Sequence, residues 1–295
     1  MEKIRNNYLN GLFLASLSMI FIFLSSYSSL MLFCVPIILT SVIILNNNIE
    51  KALMVIITFF TIRIVGGEIS DYYKIGFLYI ISIMYFILIR KNVNDLKALI
   101  ISTVFLSVIL CGIWYFYIKD NYETYINILE SYVSTIVSSK EEALKYAQTS
   151  IKTVPSFIFI FSLGFSLLSL TLIRKILNSE NENFLKFKKL NEIRLEKNKF
   201  FVFILSLITI YVVFRLFLNL DILILNSIII VYSLLVFNGI TVLDFLMQKT
   251  NSGLNRFLLP VILILFIQFS LVYAGFGIAD LFVDFRKKFE EKKDV

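Results

Sequence analysis

NNYLNGLFLASLSMIFIFLSSYSSLMLFCVPIILTSVIILNNNI, residues 6 to 49, contains no charged side chain. The run is long enough for two helical crossings of a bilayer at roughly 20 residues each. In hydrocarbon every backbone polar group must find its partner inside the protein, and the run lacks the alternation of a barrel strand, so it reads as helix. Lys3 and Arg5 precede it, but no short apolar core with a small-residue cleavage site follows, as a removable signal would require.

The rest of the chain repeats the pattern. Of its 295 residues 58% are hydrophobic and 16% aromatic, and the mean hydropathy is +0.84, above what a water-soluble domain carries. Apolar stretches lie near 8–26, 29–46, 52–66, 75–90, 98–118, 154–173, 200–218, 222–247 and 257–282. The expected fold class is all-α, a polytopic transmembrane helical bundle with eight or nine membrane-embedded segments. The Lys/Arg bias puts the N-terminus in the cytoplasm. With nine crossings the tail cations, Arg286 to Lys293, fall outside, where they fit the bias poorly. A re-entrant 200–218 stretch would turn the tail inward, so both counts stay open.

Chemistry is sparse. There is no histidine, which removes the commonest zinc ligand and the commonest base near neutral pH. Cys34 and Cys111 lie far apart in apolar stretches and read as small hydrophobes. No phosphate loop, dinucleotide fingerprint or HExxH motif occurs. The sequence therefore names no catalytic residue, no metal site and no cofactor, and an enzyme is not expected. The formal charge of +7 arises from cations in short loops between apolar runs, which argues for a membrane and against nucleic acid.

Two connections carry features of their own. Within 119–152, Tyr122, Tyr125, Ile126, Leu129, Tyr132, Val133, Ile136 and Val137 recur at helical spacing, which predicts an amphipathic helix lying on the outer surface as a brace or lid. The segment 174–199 carries eight cations and four acids and reads as a solvated cytoplasmic loop or a surface for a partner.

Polar residues inside the spans are the binding candidates, because burying them in lipid is costly. Arg63 can snorkel or bind. Asn238 and Gln268, like Asn226, need partners across a helix interface or a polar cavity. Arg215 and Asp221 suggest a structural ion pair. Gly11 and Ala15 form a small-xxx-small face for a neighbouring helix. Asp280 and Asp284 stand four apart at the negative end of a helix. Asp284 can reach Lys288, Arg286 and Lys287 can reach headgroups, and Asp280 is expected to pair with a group on another helix.

NSIIIVYSLLVFNGITVLDFLMQK (226–249) and VYAGFGIADLFVDFRKK (272–288), together with the order of Pro36, the outer segment and Pro155 followed by Arg174 and Lys175, resemble the YybS-like family of bacterial multi-spanning proteins, grouped as a domain of unknown function. Asn238 stands where a glutamine is expected, and Gly11 where alanine is more usual. That family is similar, more remotely, to the S components of energy-coupling-factor transporters, which bind vitamins or metal ions in six helices and join an ATPase pair through a coupling membrane protein. The resemblance implies an S-component-like bundle over 1–177, a basic cytoplasmic loop over 178–199 and added membrane helices with a charged tail over 200–295. It implies a bacterial cytoplasmic-membrane protein that binds an unknown small solute, with Arg63, Asn238 and Gln268 in the cavity and the first-helix face and basic loop toward partners. The second reading is a non-transporting scaffold that positions envelope or division proteins.

Overall fold

A computed structural model describes residues 34–45, 69–137, 139–179, 193–214, 220–249 and 267–291, and among these every regular element is helical. The helices are α1 (Val35–Leu45), α2 (Ile69–Arg90), α3 (Asp95–Val133), α4 (Lys140–Ser179), α5 (Lys197–Phe214), α6 (Leu220–Lys249), α7 (Ser270–Val283) and α8 (Phe285–Glu291). Three contain apolar stretches of membrane-crossing length, within 95–133, 140–177 and 221–246, and shorter apolar helices occupy 35–44, 76–90 and 270–283. The expected stretches at 8–26 and 52–66 lie outside the described residues.

Local sequence sets the ends. Asn94 Oδ1 accepts the Leu96 N–H at 3.1 Å and Asp95 opens the first turn of α3, a capping side chain followed by an acid at the positive end of the helix. Ser139 accepts the Glu142 N–H ahead of Glu141 and Glu142 at the start of α4, the arrangement of a capping box.

Within the segment 119–152, residues 122–133 form a helix as expected, set off from the apolar part of α3 by a break in helical geometry at Asn121 (φ −122°, ψ 15°), while residues 140–152 are the first turns of α4. Asn121 Nδ2 donates to the Tyr117 carbonyl at 3.0 Å, and Tyr125 packs edge-on against Trp114 and Tyr117 across the kink.

The chain forms two compact units, Met1–Leu106 with Ser162–Phe187, and Ser107–Phe161 with Lys188–Val295. The first packs α1, α2, the start of α3 and the end of α4 around Tyr85, Ile89, Leu106, Leu170, Ile173 and Leu177. Its interior is rich in hydroxyls that fold back on their own helices: Thr40 donates to Pro36 O, Ser82 to Leu78 O and Ser102 to Ala98 O. Arg174, expected in a solvated loop, is instead buried and ion-paired with Asp95. The last turns of α4 meet the first turn of α3, so each charge sits at the helix end that suits its sign.

In the second unit α5 runs antiparallel to α6, with Leu207, Ile208 and Tyr211 facing Leu223, Ile224 and Ser227. By contrast α7 runs parallel to α6. Tyr232 OH donates to Ser270 Oγ at 2.7 Å, and Gly239 and Gly277 meet further along. A Cβ on Gly239 would stand 1.8 Å from the Tyr273 carbonyl oxygen, and one on Gly277 2.0 Å from that of Leu235. Only glycine lets the two backbones approach so closely.

Candidate functional site

The parallel packing of α6 and α7 brings the most polar group of the second unit together. Asn238 is buried on α6. Its Nδ2 donates to Gly277 O at 3.0 Å, and its Oδ1 accepts the Leu195 N–H at 3.1 Å and Arg286 Nη2 at 3.4 Å. Arg286 reaches in from α8: Nη1 donates to Ile193 O at 2.8 Å and Nη2 to Thr241 Oγ1 at 2.7 Å. Arg286 Nη2 also faces Asp280 Oδ2 at 3.4 Å, with only 6% and 5% of the two side chains exposed. Burial pushes the guanidinium pKa down from its ordinary value, and the Asp280 carboxylate pushes it back up.

Asp284 makes this reach possible. Helix α7 ends at Val283, Asp284 takes a left-handed conformation (φ 48°, ψ 63°), and the chain turns before α8 starts. Asp and Asn tolerate that conformation better than most side chains. Arg286 therefore points back into the unit and not out to headgroups, which corrects the expectation from a straight helix. Asp284 pairs at 3.6 Å with Arg194, not with Lys288, and its Oδ1 accepts the Lys287 N–H at 3.3 Å. Asp280 meets a cation on the next helix, only six residues on in sequence.

Asn226 is employed differently. Its Oδ1 accepts the Ser156 N–H at 3.0 Å, while Nδ2 donates to Lys152 O at 2.8 Å and Ile222 O at 2.9 Å. Lys152 O and Ser156 N–H would bond each other in an uninterrupted helix, and Pro155 lies between them. The amide thus serves backbone groups next to a proline, as membrane helices require.

The remaining candidates are dispersed. Gln268 is exposed in a 3-10 turn, Ile267–Phe269, nine residues before Gly277 and so roughly 14 Å along the helix from Asn238. Asp221 is exposed in the first turn of α6. Arg63, Gly11, Ala15 and Arg215 lie outside the described residues. Sequence reading had no means of finding Thr241, the Ile193 and Leu195 backbone, or the Asp95–Arg174 pair, because each acquires its role only through a partner distant in sequence.

The family model described as predicted membrane protein (DUF2232) matches residues 12–281, nearly the whole chain and all of the site except Asp284 and Arg286. The chain belongs to this family. No curated protein and no solved structure matches it significantly. For a member of this family, the site joins three segments, the approach to α5, the middle of α6 and the α7–α8 turn, through one guanidinium and one amide.

Proposed function

We propose that this membrane protein is a non-catalytic scaffold of the bacterial cytoplasmic membrane that positions other envelope or division proteins. One observation carries the reading. Of the three amides that could have lined a solute cavity, Asn226 and Asn238 bond with both their oxygen and their nitrogen to protein groups, and Gln268 is exposed in a 3-10 turn apart from them. A binding subunit needs polar edges left open to its solute, whereas these hold helices and the approach to α5 in a fixed relation. Among the described residues, Arg194, Lys197 and Lys199 around the start of α5 and Lys287 and Lys288 on α8 are exposed and offer charged surface for partners.

Affinity purification of the tagged protein from native membranes in mild detergent, followed by mass spectrometry, tests the reading. Repeated recovery of envelope or division proteins supports it. Recovery of an ATPase pair with a coupling membrane protein would overturn it in favour of a solute-binding transporter subunit.

A further inference from the structure

We propose that the pocket between the start of α5 and the end of α7 binds a zwitterionic group, an ammonium joined to a phosphate, such as a phosphatidylethanolamine headgroup carries. The pocket holds about 190 Å³, the liquid volume of roughly six water molecules. Its lining carries both signs of charge. Asp280 and Asp284 contribute from the end of α7, and Arg194, Lys197 and Asn198 from the approach to α5 and its first turn.

Asp280 is the group that asks for a ligand. Its side chain is 5% exposed and its carboxyl has Arg286, the Phe285 N–H and Asn238 as neighbours, yet Oδ1 itself is buried without a hydrogen bond. A buried carboxylate oxygen is costly without a donor, and a small rotation of the side chain toward the pocket it lines would let an ammonium there supply one. The first turn of α5 supplies the complement. Its leading N–H groups have no carbonyl a turn earlier to serve them, and the helix dipole makes this end favourable for an anion. Lys197 adds a cation there.

Fixed charges nearby do not already satisfy the pair. Glu196 also lines the pocket but is held by Lys199 at 2.6 Å. Arg194 and Asp284, each about half exposed, stand 3.6 Å apart, a loose pair that a ligand can share. A lone phosphate would face two carboxylates, and a lone amine would face Arg194 and Lys197. A choline group has no N–H and cannot serve Oδ1. The pocket lies where two apolar helices reach their charged ends, the depth at which headgroups sit.

The test uses the full-length protein in mild detergent, offered dioleoylphosphatidylethanolamine or dioleoylphosphatidylcholine, with native mass spectrometry counting retained lipid. The expected result is a roughly tenfold preference for the ethanolamine lipid, the worth of one charge-assisted hydrogen bond. Asp280→Asn should lower that preference. Lys197→Gln, which leaves the Arg286 group untouched, removes the phosphate's cation and should lower retention of the ethanolamine lipid itself, and it decides the matter if the Asp280 variant fails to fold. Displacement of the lipid by millimolar glycerophosphoethanolamine would support the same chemistry with a soluble source for the group. Equal retention of the two lipids overturns the proposal, as does retention of the ethanolamine lipid unchanged by Lys197→Gln in protein of wild-type thermal stability.

Discussion

Arg286 holds together what the other residues of its group only approach. Removing it as Arg286→Ala would leave the Asp280 carboxylate buried without its cation and the Ile193 carbonyl without its donor. A loss of about 3–5 kcal/mol is expected, read as a lower unfolding midpoint in nanodiscs. Arg286→Lys should not restore it, because one ammonium cannot reach Ile193 O, Thr241 and Asp280 through separate nitrogens. Half of this arrangement was legible from the chain. Asp280 drew attention because a carboxylate at the negative end of an apolar helix needs compensation, and Asn238 because an amide in an apolar helix needs a partner. Arg286 read as a headgroup cation, since nothing in DFRKK declares that Asp284, two residues before it, will adopt a left-handed turn. Asp95 and Arg174 were hidden for a related reason. Their pairing spans 79 residues, and each alone is an ordinary charge at a helix end.

At the scale of elements, the crossing of α6 and α7 depends on the absence of two side chains. Gly239→Ala or Gly277→Ala would drive a methyl into a backbone carbonyl of the facing helix, and neither carbonyl can move without the helix that holds it. A destabilisation of about 1–3 kcal/mol is expected. Gly275→Ala, where a Cβ meets nothing within 4 Å, should be neutral and serves as the control in the same unfolding assay. Hydropathy located these helices well, placing 222–247 where α6 spans Leu220–Lys249 and 200–218 where α5 spans Lys197–Phe214. It ended the α3 stretch at 118, short of the kink at Asn121 and the polar helix beyond it, because apolarity reports burial in lipid and says little about where helical hydrogen bonding ends. A glycine directly after Asn238 permits a close approach of another backbone. Its direction was beyond reach, since a parallel neighbour and an antiparallel one ask for the same small residue.

For the molecule as a whole, the direction of α7 bears on topology. Arg286 touches Ile193, and Asp284 pairs with Arg194, so the start of the tail and the approach to α5 lie at the same end of their unit. The nine-crossing arrangement separates them. A re-entrant 200–218 stretch would unite them, but α5 is the antiparallel neighbour of α6, and it is the parallel course of α7 that returns the tail. In a background without Cys34 and Cys111, Glu196→Cys and Lys288→Cys should react with a membrane-impermeant thiol reagent from one face of the membrane. Labelling from opposite faces would refute the shared end. The number of spans was illegible because counting apolar runs assumes that each reverses the one before it. There is also a consequence in time. Asn238 and Arg286 lie 48 residues apart, and at 5–20 residues per second synthesis takes roughly 2–10 s to get from one to the other. Through that interval the nascent chain holds an amide and a carbonyl whose common donor has not yet been made. This is a window in which membrane proteases or chaperones can act, and a chain that reaches position 286 with the wrong residue never closes it. Such a variant should show itself first as low abundance in the cell, before any change in what the surviving molecules bind.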